Sequence, residues 1–123
     1  MQNAHRYFFY FGIVFNCLLT YDALRAFHQP GIGFGVTLGT IVLTVNATLL
    51  WLYSLSCHAC RHLCGGSLKT FSNHPVRHRL WKFITPLNEN HMKFAWASLI
   101  FVALTDVFVR LVASGAITDF RLF

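Results

Sequence analysis

Charge is scarce in this sequence. Of its 123 residues only 11% are Asp, Glu, Lys or Arg, and the acids number four. An ordinary soluble chain carries about 25%. Hydrophobic residues make up 55%, thirteen phenylalanines among them, and the mean hydropathy is +0.51. A domain of this size cannot hide so much apolar surface in its own interior. That excludes a water-soluble globule and requires lipid to cover part of the chain. A secretory signal is lacking, because the apolar run after Arg6 has no small-residue cleavage site and continues at spanning length. Internal repeats and low-complexity tracts are also missing, so residues 1–123 are read as one transmembrane domain.

Three segments are long enough to cross a hydrocarbon core, which takes about 20 helical residues. They cover about 7–27, 32–56 and 94–113, and predict an all-α bundle of three transmembrane helices. HQPG (28–31) ends the first span and makes an antiparallel hairpin of the first two. Six of the ten basic residues (Arg61, Lys69, Arg77, Arg79, Lys82, Lys93) fall in the 57–93 connection, with Glu89 its only acid. A basic stretch can serve nucleic acid, but beside membrane spans it reports orientation. The expectation is a multi-pass plasma-membrane protein without a nucleic-acid partner. Its N-terminus and basic loop are cytoplasmic and its C-terminus is outside. Within the loop, RHRLWKFI (77–84) suits a short helix at the headgroup level or a contact for a soluble partner.

Polar residues inside the spans are costly and need partners. Asp22 and Arg25, and Asp106 and Arg110, stand at helical spacings that allow ion pairing; a proton relay or a polar cofactor lining is the other reading. Asn16 and Asn46 are expected to hydrogen-bond between helices. Gly35 and Gly39 form a small-xxx-small pair suited to close helix packing. Three spans make a thin bundle, so further membrane helices are expected from another subunit.

The most informative stretch is SCHACRHLCGG (56–66). Cys57 and Cys60 have the spacing that lets two thiolates reach one metal, and Cys64 follows four residues on. His58 and His62 share a neighbouring face, while His74, His78 and His91 come later. On the reducing side of a membrane, metal binding is favoured over disulfides. Buried apolar cysteines, a Cys2His2 zinc and a haem b between two histidines are alternatives. Four thiolates are not available nearby, because Cys17 lies on the first span. Two cysteines and two histidines would suit a Rieske-type [2Fe–2S] centre, whose imidazoles lower the negative charge of the site and raise its potential.

The runs LYSLSCHACRHLCGG, FSNHPVRHRLWKF and LNENHMKFAWASLIFVALTD resemble the membrane anchor of actinobacterial-type succinate dehydrogenases, over roughly residues 50–120. The resemblance implies a membrane-embedded Rieske-type [2Fe–2S] cluster in place of haem. It implies a soluble flavoprotein subunit that oxidises succinate, as in the tricarboxylic acid cycle. It also implies an iron–sulfur subunit that passes electrons to this chain, and delivery to a quinone, menaquinone by preference. It implies Cys57 and Cys60 as the thiolate pair and His62 and His91 as the imidazoles, with His58, Cys64 and His74 as alternates. Arg61, Trp81 and Trp51 are expected at the quinone, the tryptophans having the alternative of interface-belt anchors and Arg61 that of a lipid-phosphate contact. On this reading catalysis belongs to the complex. Zinc-stapled scaffold and haem-bearing anchor are the rival functions.

Overall fold

A computed structural model describes residues 2–29, 33–66 and 68–122. Helix α1 (Gln2–Ala26) leads through two paired two-residue strands, β1 (His28–Gln29) and β2 (Gly33–Phe34), into α2 (Leu38–Leu55). A short α3 (His58–Arg61) runs on into a π-helical turn (His62–Gly66). Helix α4 (Pro75–Glu89) and the long α5 (His91–Ala113) complete the chain. The three long helices have the length and apolar composition to cross a membrane, and α2 packs between α1 and α5. The fold is an all-α membrane bundle.

The second helix begins at Leu38, later than hydropathy alone places it. Gly33 takes the left-handed region (φ 86°) and turns the chain into the small hairpin, with His28 opposite Phe34. Thr37, still extended, then starts the helix. Its hydroxyl accepts the Thr40 N–H at 3.2 Å, while the Thr40 hydroxyl accepts the Thr37 N–H at 3.0 Å. These reciprocal bonds satisfy N–H groups that a helix start leaves unpaired. Gly35 therefore precedes the helix and donates to the Phe27 carbonyl, so the Gly35/Gly39 pair does not form a helix-packing face. Gly39 instead receives the C-terminal segment. Its N–H donates to Asp119 Oδ1 at 2.9 Å, and Leu38 N–H donates to the Phe120 carbonyl.

The bundle is polar inside and apolar outside. Its buried positions include Asn16, Thr40, Asn46, Ser54, Ser98 and Thr105, whereas Phe8, Phe11 and Phe15 of α1 and Trp96, Leu99 and Leu104 of α5 are exposed. That distribution suits lipid as the solvent, because small polar residues let membrane helices approach and bond to one another. Asn16 Nδ2 donates to Ser54 Oγ at 2.8 Å and to the Leu50 carbonyl at 3.2 Å, joining α1 to α2. Asn46 differs from expectation: its Oδ1 is buried with no hydrogen-bond partner among the described residues. Asp106 and Arg110 pair at 2.8 Å on the outer face of α5. Arg25 turns back to the Tyr21 hydroxyl at 3.2 Å, and no Asp22–Arg25 ion pair forms among the described residues.

The alternation of direction has one consequence for function. The start of α1, the end of α2 and the start of α5 lie at the same end of the bundle, where α3, the π turn and α4 also gather.

Candidate metal centre

Chain direction changes at Ser56 and Cys57. Ser56 ends α2 in a helical conformation, and Cys57 is extended (φ −64°, ψ 139°) before α3 begins. This break sets Cys57 inward. Cys57 and Cys60 are both buried and cluster with Ala59 and Ile84; Cys64, from the π turn, packs against them. The uninterrupted helix that would align the three cysteines is absent, yet their thiols still meet. Burial pushes the Cys60 thiol up to about 11 from its ordinary 9.0, and the neighbouring Cys64 and Cys57 add to the rise. The Cys60 thiol therefore stays protonated at neutral pH unless a cation arrives to hold its thiolate.

The imidazoles converge from three elements. His5, on the second turn of α1, has Nε2 3.0 Å from Cys57 Sγ, and its ring stacks on His58 with centroids 4.6 Å apart and planes 10° apart. Ligand atoms of His5, Cys57 and His58 all lie within 4.8 Å of one another. His91, the first residue of α5, lies within electrostatic reach of both histidines. Ser56 Oγ donates its one proton to the Tyr53 carbonyl at 2.8 Å and sits 2.8 Å from His91 Nδ1. In the Nδ1–H tautomer the ring donates to Ser56 Oγ and keeps its lone pair on Nε2. The ring of His91 also stacks on Tyr53 at 5.1 Å.

The other candidates lie elsewhere. His62 is exposed and its Nδ1 accepts a bond from Arg6 Nη2 at 3.3 Å. His74 is exposed at the start of α4. Arg61 and Trp81 do come together, the guanidinium lying 4.5 Å over the ring. Trp51 is apart from them, about one turn before the end of α2, where its Nε1 donates to Thr20 Oγ1 at 2.9 Å and stitches α1 to α2. His5 was the residue that spacing could not supply. The antiparallel hairpin carries the signal, since it returns the end of α2 to the start of α1.

Three cavities lie around the centre, the smallest, of about 190 Å³, touching His5 and Cys57 themselves. One of about 260 Å³ opens between α2 and α5 and is lined by Leu50, Tyr53, Trp96, Ser98, Leu99 and Val102. A polar one of about 320 Å³ lies against Arg6, His58, Arg61, His62, Gly66 and Trp81.

The donor set is thiol and imidazole, with no carboxylate in the group. Such a set suits zinc or iron–sulfur chemistry and disfavours calcium or magnesium. Fold and site together define an integral membrane protein with three candidate spans and a cluster of thiols and imidazoles at one end of its bundle. The sequence matches the family described as actinobacterial succinate dehydrogenase subunit SdhC over residues 1–115, and the chain belongs to that family. It is similar to a solved chain of the Mycobacterium smegmatis Sdh1 complex in the apo form, with 53% identity and a TM-score of 0.90. The match covers 99% of this chain and 46% of that one, so the chain spans less than half the length of its solved relative. No curated protein matches it.

Proposed function

We propose that this chain is the electron-transferring membrane anchor of a succinate dehydrogenase, carrying electrons between an iron–sulfur subunit and a quinone. Family membership supports the setting. The observation that carries the finer reading is the meeting of Cys57 and Cys60 with His5 and His58 at one end of the spans.

Cys57 and Cys60 would supply the two thiolates of a Rieske-type [2Fe–2S] group, and His5 and His58 the imidazoles. Bound there, the group would supply one-electron redox chemistry at a raised potential. Neutral imidazole suits a site at the edge of lipid, because each thiolate replaced removes one charge from a medium that solvates charge poorly. His91, held by Ser56, presents an acceptor nitrogen beside the pair and keeps α5 in register with it. Asn88 Nδ2 donates to the Ser56 carbonyl at 2.8 Å and fixes the same corner from α4.

The quinone is best accommodated in the apolar α2–α5 cavity. Its walls suit a neutral ring and an isoprenoid tail, and Tyr53 links it to His91. The Arg61–Trp81 pocket is too cationic for that role, and Trp51 is committed to Thr20. Partners on this reading are a flavoprotein subunit, an iron–sulfur subunit and further membrane helices. The basic residues between α2 and α5 orient this end toward the cytoplasm.

Iron and acid-labile sulfide assays on the purified complex, with electron paramagnetic resonance after reduction, test the proposal. Two irons, two sulfides and a Rieske-like signal assigned to this subunit are expected. Stoichiometric zinc without the signal would establish a zinc-stapled scaffold instead, since the same donors suit zinc. A b-type absorption band would establish a haem anchor.

A further inference from the structure

The polar cavity on the far side of α3 carries chemistry that neither the metal nor the quinone uses. Arg6, Arg61 and His62 face it, His58 borders both this cavity and the cysteine cluster, and Cys57 and Cys60 do not line it. Arg61 is held in place twice: its Nε donates to Thr85 Oγ1 at 3.2 Å and its guanidinium lies on the Trp81 ring. Arg61 itself lines the cavity. Arg6 Nη2 contributes the second guanidinium through its bond to His62. The described residues place no carboxylate against either arginine. Two guanidiniums without a counter-ion in one preformed pocket call for an oxyanion that accepts several N–H bonds, and phosphate geometry matches that fork.

The position of the pocket selects the source of the phosphate. Arg6 stands on the third residue of the apolar span that begins at Ala4, at the depth where a bilayer holds its headgroups. Below it on α1, at steps of four residues, follow the exposed Tyr10, Val14 and Leu18, which form an apolar track for an acyl chain. Trp81 closes the pocket with an interfacial aromatic. The close approach depends on the two glycines, since a Cβ on Gly65 would meet Trp81 at 2.8 Å and one on Gly66 would meet His62 at 3.0 Å.

We infer that the Arg6–Arg61–His62 pocket is a binding site for the phosphate of an anionic phospholipid, with its tails lying along α1. The inference is independent of which metal the cysteine end holds. A cavity of about 320 Å³ has room for a phosphate and its glycerol ester.

Native mass spectrometry of the detergent-purified complex counts the phospholipid retained by wild type, R6Q/R61Q and R6K/R61K. Wild type is expected to keep one anionic phospholipid per copy of this chain. R6Q/R61Q should hold it about tenfold more weakly, the low end for a lost charge-assisted bond, and R6K/R61K should be intermediate. Delipidated wild type is then titrated with phosphatidylglycerol, phosphatidylcholine and inorganic phosphate. Saturable uptake of phosphatidylglycerol, stronger than that of phosphatidylcholine and little displaced by millimolar phosphate, supports the site whether or not the variants assemble. Full displacement by inorganic phosphate would reveal a free-anion site and overturn the lipid assignment. Unchanged retention in R6Q/R61Q, or release of a soluble subunit in place of lipid, would overturn it as well.

Discussion

The His5 imidazole lies 3.0 Å from the Cys57 thiol, and 52 residues of sequence separate the two. The contact joins the opening turns of α1 to the break after α2, so the first helix of the bundle contributes to the chemistry at its cysteine end.

The first prediction concerns the imidazole set. His5→Ala and His58→Ala should each lower iron in the purified complex at least about tenfold, the scale on which even supporting residues of metal sites act. His62→Ala and His74→Ala should leave it unchanged, because those rings lie outside the cluster. Iron analysis with electron paramagnetic resonance of all four variants checks the assignment. Loss of the centre in His62→Ala alone would refute it.

Metal removal gives a second prediction. In the metal-free protein the Cys60 thiol titrates near 11 instead of 9.0. A raised thiol pKa means the protonated form persists at neutral pH, and the reactive thiolate grows only as pH climbs toward 11. Alkylation of Cys60 below pH 9 should therefore run about a hundredfold slower than that of a free cysteine, the factor two pH units imply. Mass spectrometry after timed iodoacetamide treatment from pH 7 to 11 measures it. Rapid labelling at pH 7 would contradict the burial of this thiol.

Asn16 provides a third. It is 3% exposed and binds both Ser54 and the Leu50 carbonyl across the α1–α2 interface. Asn16→Ala should destabilise the bundle by about 1 kcal/mol, within the range found for hydrogen bonds between membrane helices. Leu18→Ala, on the lipid-facing side, should change helix association far less. Thermal melting in a fixed detergent distinguishes them.

The glycine pair after the cysteines supports a fourth. Gly65→Ala forces a Cβ to within 2.8 Å of the Trp81 Cβ and ring, which cannot both retreat. A loss of about 1–3 kcal/mol is expected, as for other overpacked sites. Gly12→Ala meets nothing within 4 Å and sits inside α1, so it should be neutral or stabilise by about 0.5–1 kcal/mol. The same melting experiment, run side by side, reads both.

Much of the architecture was legible before any coordinates. Long apolar runs in a chain with four acids leave few folds open, and the three helices follow the hydropathy. The start of α2 was less legible, because GIGFGVT reads as apolar while its glycines and Thr37 make a hairpin and a cap. The cysteines announced themselves by density. The histidines divided differently. His62 follows Cys60 closely in sequence, yet the π turn carries it to the Arg6 side. His5 is remote in sequence, yet the hairpin returns it to Cys57. Local spacing describes one helix, and a site assembled from three helices depends on their register. Trp51 shows the same dependence on register: its N–H reaches the Thr20 hydroxyl across the α1–α2 interface, a pairing that spacing along one helix does not reveal.

The break at Ser56 and Cys57 also bears on how the protein is made. Ser56 takes its partner, His91, from the opening residue of α5, the third of the described spans, whereas His5 comes from α1, two spans earlier. Until that third span has entered the bilayer, the corner around Cys57 is only partly built. A group held at this corner would therefore have to wait for α5, which would make arrival of that helix a checkpoint in biogenesis.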